Sequence, residues 1–180
     1  RNRRLGHLLD IGTGTGRMAA ILGASTSRVT ALDRSPEMLR VARTRLGNGP
    51  IPVELIQGDF TALPLPNESV DSVVMHQVLH YAAMPDMVIA EAARVLRGSG
   101  HLLIVDFAPH DREELRRDAA HARLGFSDAQ IRGWFAASGL LLETSESLSG
   151  GALTVKLWLG RRRSDVVRDP LNSSSRKAAA

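Results

Sequence analysis

The sequence contains no cysteine, and aromatic residues make up only 4% of its 180 positions. Without thiols the chain cannot form disulfides, bind a metal through thiolates or use a cysteine nucleophile. It also lacks any apolar run of the roughly 20 residues needed to cross a bilayer, and no signal-peptide pattern opens it. We therefore expect a cytoplasmic protein that does not partner with a membrane.

The formal net charge of +4 does not by itself indicate a surface for nucleic acid. Six basic and two acidic residues lie after position 160, so the first 160 residues carry equal numbers of each. We predict one compact domain over residues 1–162 and a disordered basic tail over 163–180. Since the sequence opens with Arg1 rather than methionine and reaches its first predicted strand within a few residues, we also expect further sequence upstream.

Apolar runs alternate with helical patterns, which favours a mostly parallel sheet with helices on both faces. We expect strands over 7–11, 28–33, 53–57, 70–76 and 101–107. We expect helices over 15–23, 36–46 and 85–97. The second helix begins with Ser35 as its N-cap and Pro36 as its first residue, which is the arrangement that helix starts prefer.

The pattern changes after the fifth strand. A highly charged run over 111–123 predicts a helix, and a capping box that begins at Ser127 predicts another. Two β-like runs, 140–147 and 153–160, predict an antiparallel hairpin at the far edge of the sheet. The fold class is therefore α/β, with a mostly parallel seven-stranded sheet and a C-terminal antiparallel hairpin.

The stretch LLDIGTGTG over residues 8–16 is the most informative part of the chain, because an apolar strand ends in Asp10 and three alternating glycines follow. Glycines at that spacing let the backbone approach a ligand closely, and the next helix offers free N–H groups. A carboxylate at this place would repel a pyrophosphate and attract an ammonium group. This predicts a cationic nucleoside such as S-adenosylmethionine, and makes a nicotinamide-dependent oxidoreductase the weakest reading.

Two further carboxylates stand at equivalent places, since Asp33 ends the second strand and Asp59 follows the third. Ligands of open α/β sheets collect beyond the carboxyl ends of the strands. We expect Asp33 to accept hydrogen bonds from both ribose hydroxyls and Asp59 to accept one from the adenine amine. Asp10 would hold the amino-acid end of the ligand through water or the turn amides.

Several stretches in combination resemble the successive motifs of class I S-adenosylmethionine-dependent methyltransferases of the UbiE/MenG-like kind. They are LLDIGTGTGR, ALDRSPEML, QGDFTALPLP, VDSVVMHQVLHY and EAARVLRGSGHLLIVDF. The resemblance implies a Rossmann-like fold, S-adenosyl-L-methionine as cofactor and S-adenosyl-L-homocysteine as product. With it we predict twelve cofactor-binding residues: Asp10, Gly12, Thr13, Gly14, Gly16, Asp33, Arg34, Met38, Asp59, Phe60, His76 and Gln77.

The later stretch, DFAPHDREELRRDAAHARLGFSDAQIRGWFAASGL with LTVKLWLGR, resembles one subgroup more closely. It is similar to the methyltransferase half of ArsR-type bacterial transcription regulators that are fused to such a domain. That resemblance implies a fused or partner winged-helix domain that binds DNA.

Methyl transfer is an in-line displacement at a carbon already activated by a positive sulfur, so alignment and desolvation matter most and no covalent residue is required. His80, Tyr81 and His110 are the candidate catalytic residues, either facing the acceptor or acting as a general base. The segment over 110–126 is a candidate cover for the pocket. The spacing of the histidines matches no specific metal site, so we predict no metal.

The chemical class of the methyl acceptor is restricted mainly by motifs and residues that the sequence lacks. No D/N-P-P-Y/F run follows the fourth strand, where residues 76–79 read HQVL, and this disfavours amino methylation of nucleic acid. The absence of cysteine excludes thiolate-dependent cytosine methylation and thiolate binding of arsenite. A small-molecule methyltransferase and a non-catalytic sensor of S-adenosylmethionine or S-adenosylhomocysteine in an ArsR-type regulator both stay open. The oligomeric state stays open as well.

Overall fold

The computed structural model describes residues 5–47, 49 and 51–164. The first half runs β1 (His7–Ile11), α1 (Arg17–Gly23), β2 (Arg28–Asp33), α2 (Pro36–Leu46), β3 (Val53–Gln57) and β4 (Val70–His76). The second half runs a 3₁₀ turn (Leu79–Tyr81), α3 (Pro85–Val95), β5 (Leu96–Phe107), α4 (Glu114–Asp118), α5 (Asp128–Ala137), β6 (Leu140–Leu148) and β7 (Val155–Arg162). The tail predicted over 163–180 lies outside the described residues from 165 onward.

The strands form a seven-stranded sheet in the order β3-β2-β1-β4-β5-β7-β6. The five strands from β3 to β5 are parallel, whereas β7 is antiparallel to both β5 and β6. This confirms the predicted fold class. After β1 the chain builds β2 and β3 on one side and then returns to place β4 on the other. The strand order therefore reverses at β1 and β4, where open α/β sheets form a crevice at their carboxyl ends.

Helices cover both faces of the sheet because neighbouring residues of the central strands are apolar and point in opposite directions. Leu8 and Val74 belong to a buried cluster with α1 and α2. Leu9 and Val73 belong to the other cluster, which includes α3, α5 and the fully buried Trp158 of β7. Among the described helices, none is both long enough and apolar enough to cross a membrane.

The boundary between α3 and β5 differs from the prediction. The helix ends at Val95, and Leu96 already pairs with Val70 of β4 as the first residue of β5. The register then shifts before the regular pairing of β4 and β5 begins at Ser72 and His101. The glycines over 98–100 therefore form an irregular start to the strand, with Ser99 at φ 66°, rather than the end of the helix.

The charged segment predicted as one helix over 111–123 is helical only over α4, Glu114–Asp118. The chain leaves the helix at Ala119 and Ala120, the second of which has φ 55°. This turn lets His121 become buried and lets the next two backbone N–H groups donate to a carbonyl of the 3₁₀ turn. Tertiary hydrogen bonds and burial thus outweigh the helical propensity of the charged run.

Asp128, the first residue of α5, fastens this helix to the terminal hairpin. Its carboxylate accepts from Trp158 Nε1 at 2.7 Å and from Ser145 Oγ at 2.9 Å, and it pairs with Lys156 Nζ at 2.5 Å. The bonds from Lys156 and Trp158 lower the pKa of Asp128 from 3.8 to about 2.

Replacing this carboxylate by an amide, Asp128→Asn, should lower the free energy of unfolding at pH 7 by about 1 kcal/mol, because the side chain stays partly exposed and the ion pair is screened. Because the pKa of Asp128 is lower in the folded state, its carboxylate stabilises the fold at pH values above the unfolded pKa of 3.8. This contribution is lost as the pH falls to about 2. The gap between variant and wild type should therefore narrow between pH 7 and pH 3 in urea unfolding. The exposed Asp111→Asn is the control, and an equal loss there would contradict this role.

Candidate functional site

The glycine turn after β1 is bound to the end of β2. The backbone N–H groups of Gly12 and Thr13 both donate to the Leu32 carbonyl, at 2.8 and 2.9 Å. Gly12 has φ 69°, and a Cβ there would lie 2.3 Å from Val78 Cγ2, so only glycine fits. A Cβ at Gly14, by contrast, would meet nothing within 4 Å, because this part of the turn faces open space.

The carboxylate of Asp10 is hydrogen-bonded both to this turn and to α1. Its side chain is buried, and one carboxylate oxygen accepts from Thr13 Oγ1 at 2.7 Å and from the Ala19 N–H of α1 at 3.2 Å. Burial raises the pKa of Asp10 from 3.8 to about 6, against the opposing effect of these two hydrogen bonds. Asp10 thus contacts the turn and the helix directly, and its predicted contact with a ligand stays a prediction.

Asp33 holds the front of the turn. One oxygen accepts from the Gly14 N–H at 2.8 Å, and the other accepts from the Ser35 N–H at 2.9 Å. Ser35 in turn caps α2 by accepting from the Met38 N–H at 3.2 Å. A carboxylate offers about four acceptor sites, so Asp33 retains capacity for two further donors.

Asp59 is exposed, and its carboxylate accepts from the Thr61 N–H at 2.7 Å and from Thr61 Oγ1 at 2.5 Å. These bonds from Thr61 lower the pKa of Asp59. The side chain starts the turn after β3, which is a common local role for aspartate. Of the three carboxylates predicted to converge on one ligand, Asp33 lines the cavity, whereas Asp10 and Asp59 are hydrogen-bonded to neighbouring groups of the chain.

A cavity of about 490 Å³ opens at the carboxyl ends of β1, β2 and β4. Nine of the twelve predicted cofactor residues line it, together with Tyr81: Gly12, Thr13, Gly14, Asp33, Arg34, Met38, Phe60, His76 and Gln77. Among the described lining residues, Asp10, Gly16 and Asp59 are missing. Leu32, Gly58 and Val78 line it although the sequence did not single them out, and their only signal is adjacency to residues that it did.

The far wall of the cavity comes from the end of β4. His76 is half-buried, and burial lowers its pKa although the nearby charge of Asp106 opposes that change. Gln77 follows with φ 54° and donates its backbone N–H to the Val105 carbonyl at 2.7 Å. At pH 7 this wall therefore consists of a neutral imidazole beside an amide. A neutral imidazole does not repel a positively charged group of a ligand.

Of the three predicted catalytic residues, His80, Tyr81 and His110, one lines the cavity among the described residues. His80 and His110 are not among the described residues that line the cavity, whereas Tyr81 is. His80 is buried, and its Nδ1 lies 2.8 Å from Asp106 Oδ1 of β5. Over the described residues, no group of three or more histidine, aspartate or glutamate side chains is arranged to hold a metal ion.

These residues fit an adenosine-type cofactor. The open face at Gly14 leaves room where a side chain would fill the cavity, and Asp33 beside it can accept from vicinal hydroxyls. Met38 and Phe60 offer apolar surface for a flat base on the same side.

The raised pKa of Asp10 leads to a pH-dependent stability. Since the folded pKa of about 6 exceeds the unfolded 3.8, stability falls as pH rises through this window and stays low above it. Asp10→Asn keeps an acceptor for Ala19 and Thr13 but carries no charge. Urea unfolding should show the variant about 2–3 kcal/mol more stable than wild type at pH 8, with the difference closing towards pH 4. Parallel pH profiles of variant and wild type would contradict this expectation, because they would show that burial does not raise the pKa of Asp10 above its unfolded value.

Comparison with known proteins agrees with this geometry. Residues 9–104 match the family model described as Methyltransferase domain, which is more than half of the chain. Demethylmenaquinone methyltransferase of Clavibacter sepedonicus is 38% identical over 101 residues, covering 56% of this chain and 41% of that protein. Malonyl-[acyl-carrier protein] O-methyltransferase of Methylococcus capsulatus is 37% identical over 111 residues, covering 61% and 40%. The chain thus spans about two fifths of the length of these relatives.

Among solved structures, an S-adenosylmethionine dependent methyltransferase from Mesorhizobium loti superposes with a TM-score of 0.76 at 18% identity, covering 88% of this chain and 93% of that one. This likeness shows the fold alone. The closer link to ArsR-type fusions stays a prediction. On the match over residues 9–104, the chain belongs to the class I S-adenosylmethionine-dependent methyltransferases, the family whose cofactor is S-adenosyl-L-methionine.

Proposed function

We propose that this chain transfers a methyl group from S-adenosylmethionine to a small-molecule acceptor at the carboxyl edge of the sheet. The observation that carries the proposal is the position of Asp33, which lines the cavity beside the open face of Gly14. A small acceptor is supported by the first relative, which is named for demethylmenaquinone, whereas the second is named for malonyl-[acyl-carrier protein]. Because these two acceptors differ chemically, the names of the relatives do not define the acceptor of this chain.

We assign the cofactor contacts to the predicted residues that line the cavity. Gly14 and Asp33 would hold the ribose, Met38 and Phe60 would flank the adenine, and His76 would meet the amino-acid end. Arg34, Gln77 and the backbone of Gly12 and Thr13 complete the binding surface. Asp10 and Gly16 act by holding the turn in place, and Asp59 by holding the loop that carries Phe60.

When bound, the cofactor supplies a methyl carbon that its positive sulfur makes electrophilic. The chain then has to orient the acceptor in line with that carbon and exclude water from it. Tyr81, which lines the cavity next to the wall formed by His76 and Gln77, is the residue that we place on the acceptor side.

The binding site is tested by two matched aspartate variants. Asp33→Asn should weaken the binding of S-adenosylhomocysteine by about 1–3 kcal/mol, or roughly 5- to 150-fold, because one of the acceptors for the ribose hydroxyls becomes an amide donor. Asp59→Asn should change it by no more than about 0.5 kcal/mol, because that carboxylate binds Thr61 instead. Isothermal titration calorimetry measures both, and an equal loss in the two variants would argue against the assignment.

The activity is tested with S-adenosylmethionine labelled in its methyl carbon and a fractionated metabolite extract. Wild type should transfer label to a low-molecular-mass fraction, and Asp33→Asn should do so at a lower rate at subsaturating cofactor. Tight binding of S-adenosylmethionine without transfer to any fraction would overturn the proposed transfer while leaving the cofactor site intact.

A further inference from the structure

Three histidines gather beside the cavity without lining it, and we call them the imidazole cluster: His80, His110 and His121. His80 belongs to the 3₁₀ turn after β4, whereas the other two belong to the segment between β5 and α5. The ring centroids of His80 and His121 lie 4.1 Å apart, and those of His110 and His121 lie 6.5 Å apart. Residues from distant parts of the chain are thus brought into direct contact.

Asp106 fixes the protonation pattern of His80. This fully buried carboxylate accepts from His80 Nδ1 at 2.8 Å, from the His80 backbone N–H at 3.2 Å and from the Phe107 N–H at 2.8 Å. A carboxylate can only accept, so the ring proton must sit on Nδ1. Nε2 of His80 therefore carries a lone pair and is free to take a proton.

The cluster contains buried nitrogen atoms that the fold itself does not satisfy. Within the described part of the chain, His80 Nε2, His110 Nε2 and His121 Nδ1 are buried and have no hydrogen-bond partner. Unpartnered polar atoms are rare inside proteins because burial removes their hydrogen bonds to water. Three of them in one cluster leave hydrogen-bonding capacity that a polar group of a ligand could satisfy. Burial, with the neighbouring His80 and His110, also lowers the pKa of His121 and so favours a neutral ring.

Aromatic rings wall the cluster and connect it to the cavity. The Phe107 ring lies 5.2 Å from His80 and stacks on His121 at 5.8 Å with an interplanar angle of 17°. The Tyr81 ring lies 4.1 Å from His80 and also lines the cavity. A flat, unsaturated molecule that enters past Tyr81 would therefore meet apolar faces and, among them, a single oriented base.

We propose that the imidazole cluster is the acceptor site, in which His80 Nε2 takes the proton of an acidic hydroxyl on an unsaturated carbon and Asp106 is the positioning residue. The inference rests on the proposed function. The O–H bond of the acceptor breaks as an N–H bond forms on His80, and the imidazolium is stabilised by Asp106 before it releases its proton to water. The cofactor supplies the methyl carbon, so its S–C bond is replaced by the new O–C bond of the methylated product.

Basicity favours this class of acceptor. An imidazole has a pKa of about 6.5, and a phenolic hydroxyl has one of about 10, so the proton transfer is only moderately uphill. A hydroxyl as weakly acidic as water, with a pKa of about 15.7, would be far out of reach. A carboxylic acid needs no base at neutral pH, since it is already ionised.

The probe for this site is para-nitrophenol, added to the full chain with and without S-adenosylhomocysteine. At about one pH unit below the midpoint of the free probe, binding beside His80 should raise the fraction of yellow nitrophenolate several-fold above that of the free probe, because the phenolate pairs with the imidazolium. His80→Asn keeps a donor for Asp106 where Nδ1 stood but removes the base, so this increase should disappear. His101→Asn is the matched control, because His101 lies on β5 against Glu143, away from the cluster. Equal ionisation with His80→Asn and wild type would overturn the proposal.

A second readout separates positioning by Asp106 from a merely structural role. In ¹⁵N-labelled protein, the imidazole resonances of His80 should show the proton on Nδ1, and the probe should shift its Nε2 resonance. Asp106→Asn should reverse the tautomer, because the new amide can donate to Nδ1, and should abolish probe ionisation in a folded protein. Unchanged His80 resonances on adding the probe, or an unchanged tautomer with Asp106→Asn, would overturn the inference.

Calorimetry with S-adenosylhomocysteine keeps this inference distinct from the proposed function. Binding of S-adenosylhomocysteine to wild type and to His80→Asn, with loss of probe ionisation in the variant alone, supports both. Failure of wild type to bind S-adenosylhomocysteine would overturn the proposed function, whereas failure of the probe to ionise in a protein that does bind it would overturn the acceptor site alone.

Discussion

The buried carboxylate of Asp10 joins the end of β1 to the glycine turn and to the first turn of α1, and the cofactor edge of the sheet is built outward from it. Its bond to Thr13 sets the path of the turn, and the next amide, that of Gly14, then binds Asp33. Asp33 in turn accepts from Ser35, which caps α2. Since β1 lies between β2 and β4, this chain of hydrogen bonds spans the point at which the strand order reverses. Burying the carboxylate of Asp10 disfavours its ionised form, but the hydrogen bonds that it accepts fix the position of the binding edge.

Much of this edge could be predicted from the sequence because its signals are local. The first four strands have the predicted bounds, since apolar runs and clear helix starts such as Ser35 delimit them. Asp33 lines the cavity at the end of β2, where the sequence predicts a binding residue, and its contact with the cofactor stays a prediction. The directions of Asp10 and Asp59 could not be predicted, because each depends on which donor competes for the carboxylate. Ala19 and Thr61 provide those donors, and a sequence pattern does not rank them against a ligand.

The acceptor side was harder to predict, since its contacts join distant residues. The charge pattern over 111–123 favoured a long helix, but Ala122 and Arg123 donate to the His80 carbonyl and end it early. The pairing of His80 with Asp106 follows from the register of β4 against β5, across 26 residues. The sequence predicts that His80 faces an acceptor, but it does not predict that the ring is buried against a carboxylate and a second imidazole. Its proposed role as a base is therefore an outcome of sheet register rather than of a local motif.

The division between these two sides follows the boundary of the family match only in part, since His80 and Tyr81 lie inside it. The family model ends at residue 104, after the glycine turn, Asp33 and the wall at His76 but before Asp106. The shared part therefore carries the cofactor edge together with His80 and Tyr81. The carboxylate that orients His80, and the segment that brings His110 and His121 against it, come from the part outside that match. Such a division predicts that relatives have different acceptors. The part that binds the cofactor can be the same in each, while the neighbouring part differs with the acceptor. On this argument, the acceptor of this chain is to be sought in the chemistry of the imidazole cluster rather than in the names of its relatives.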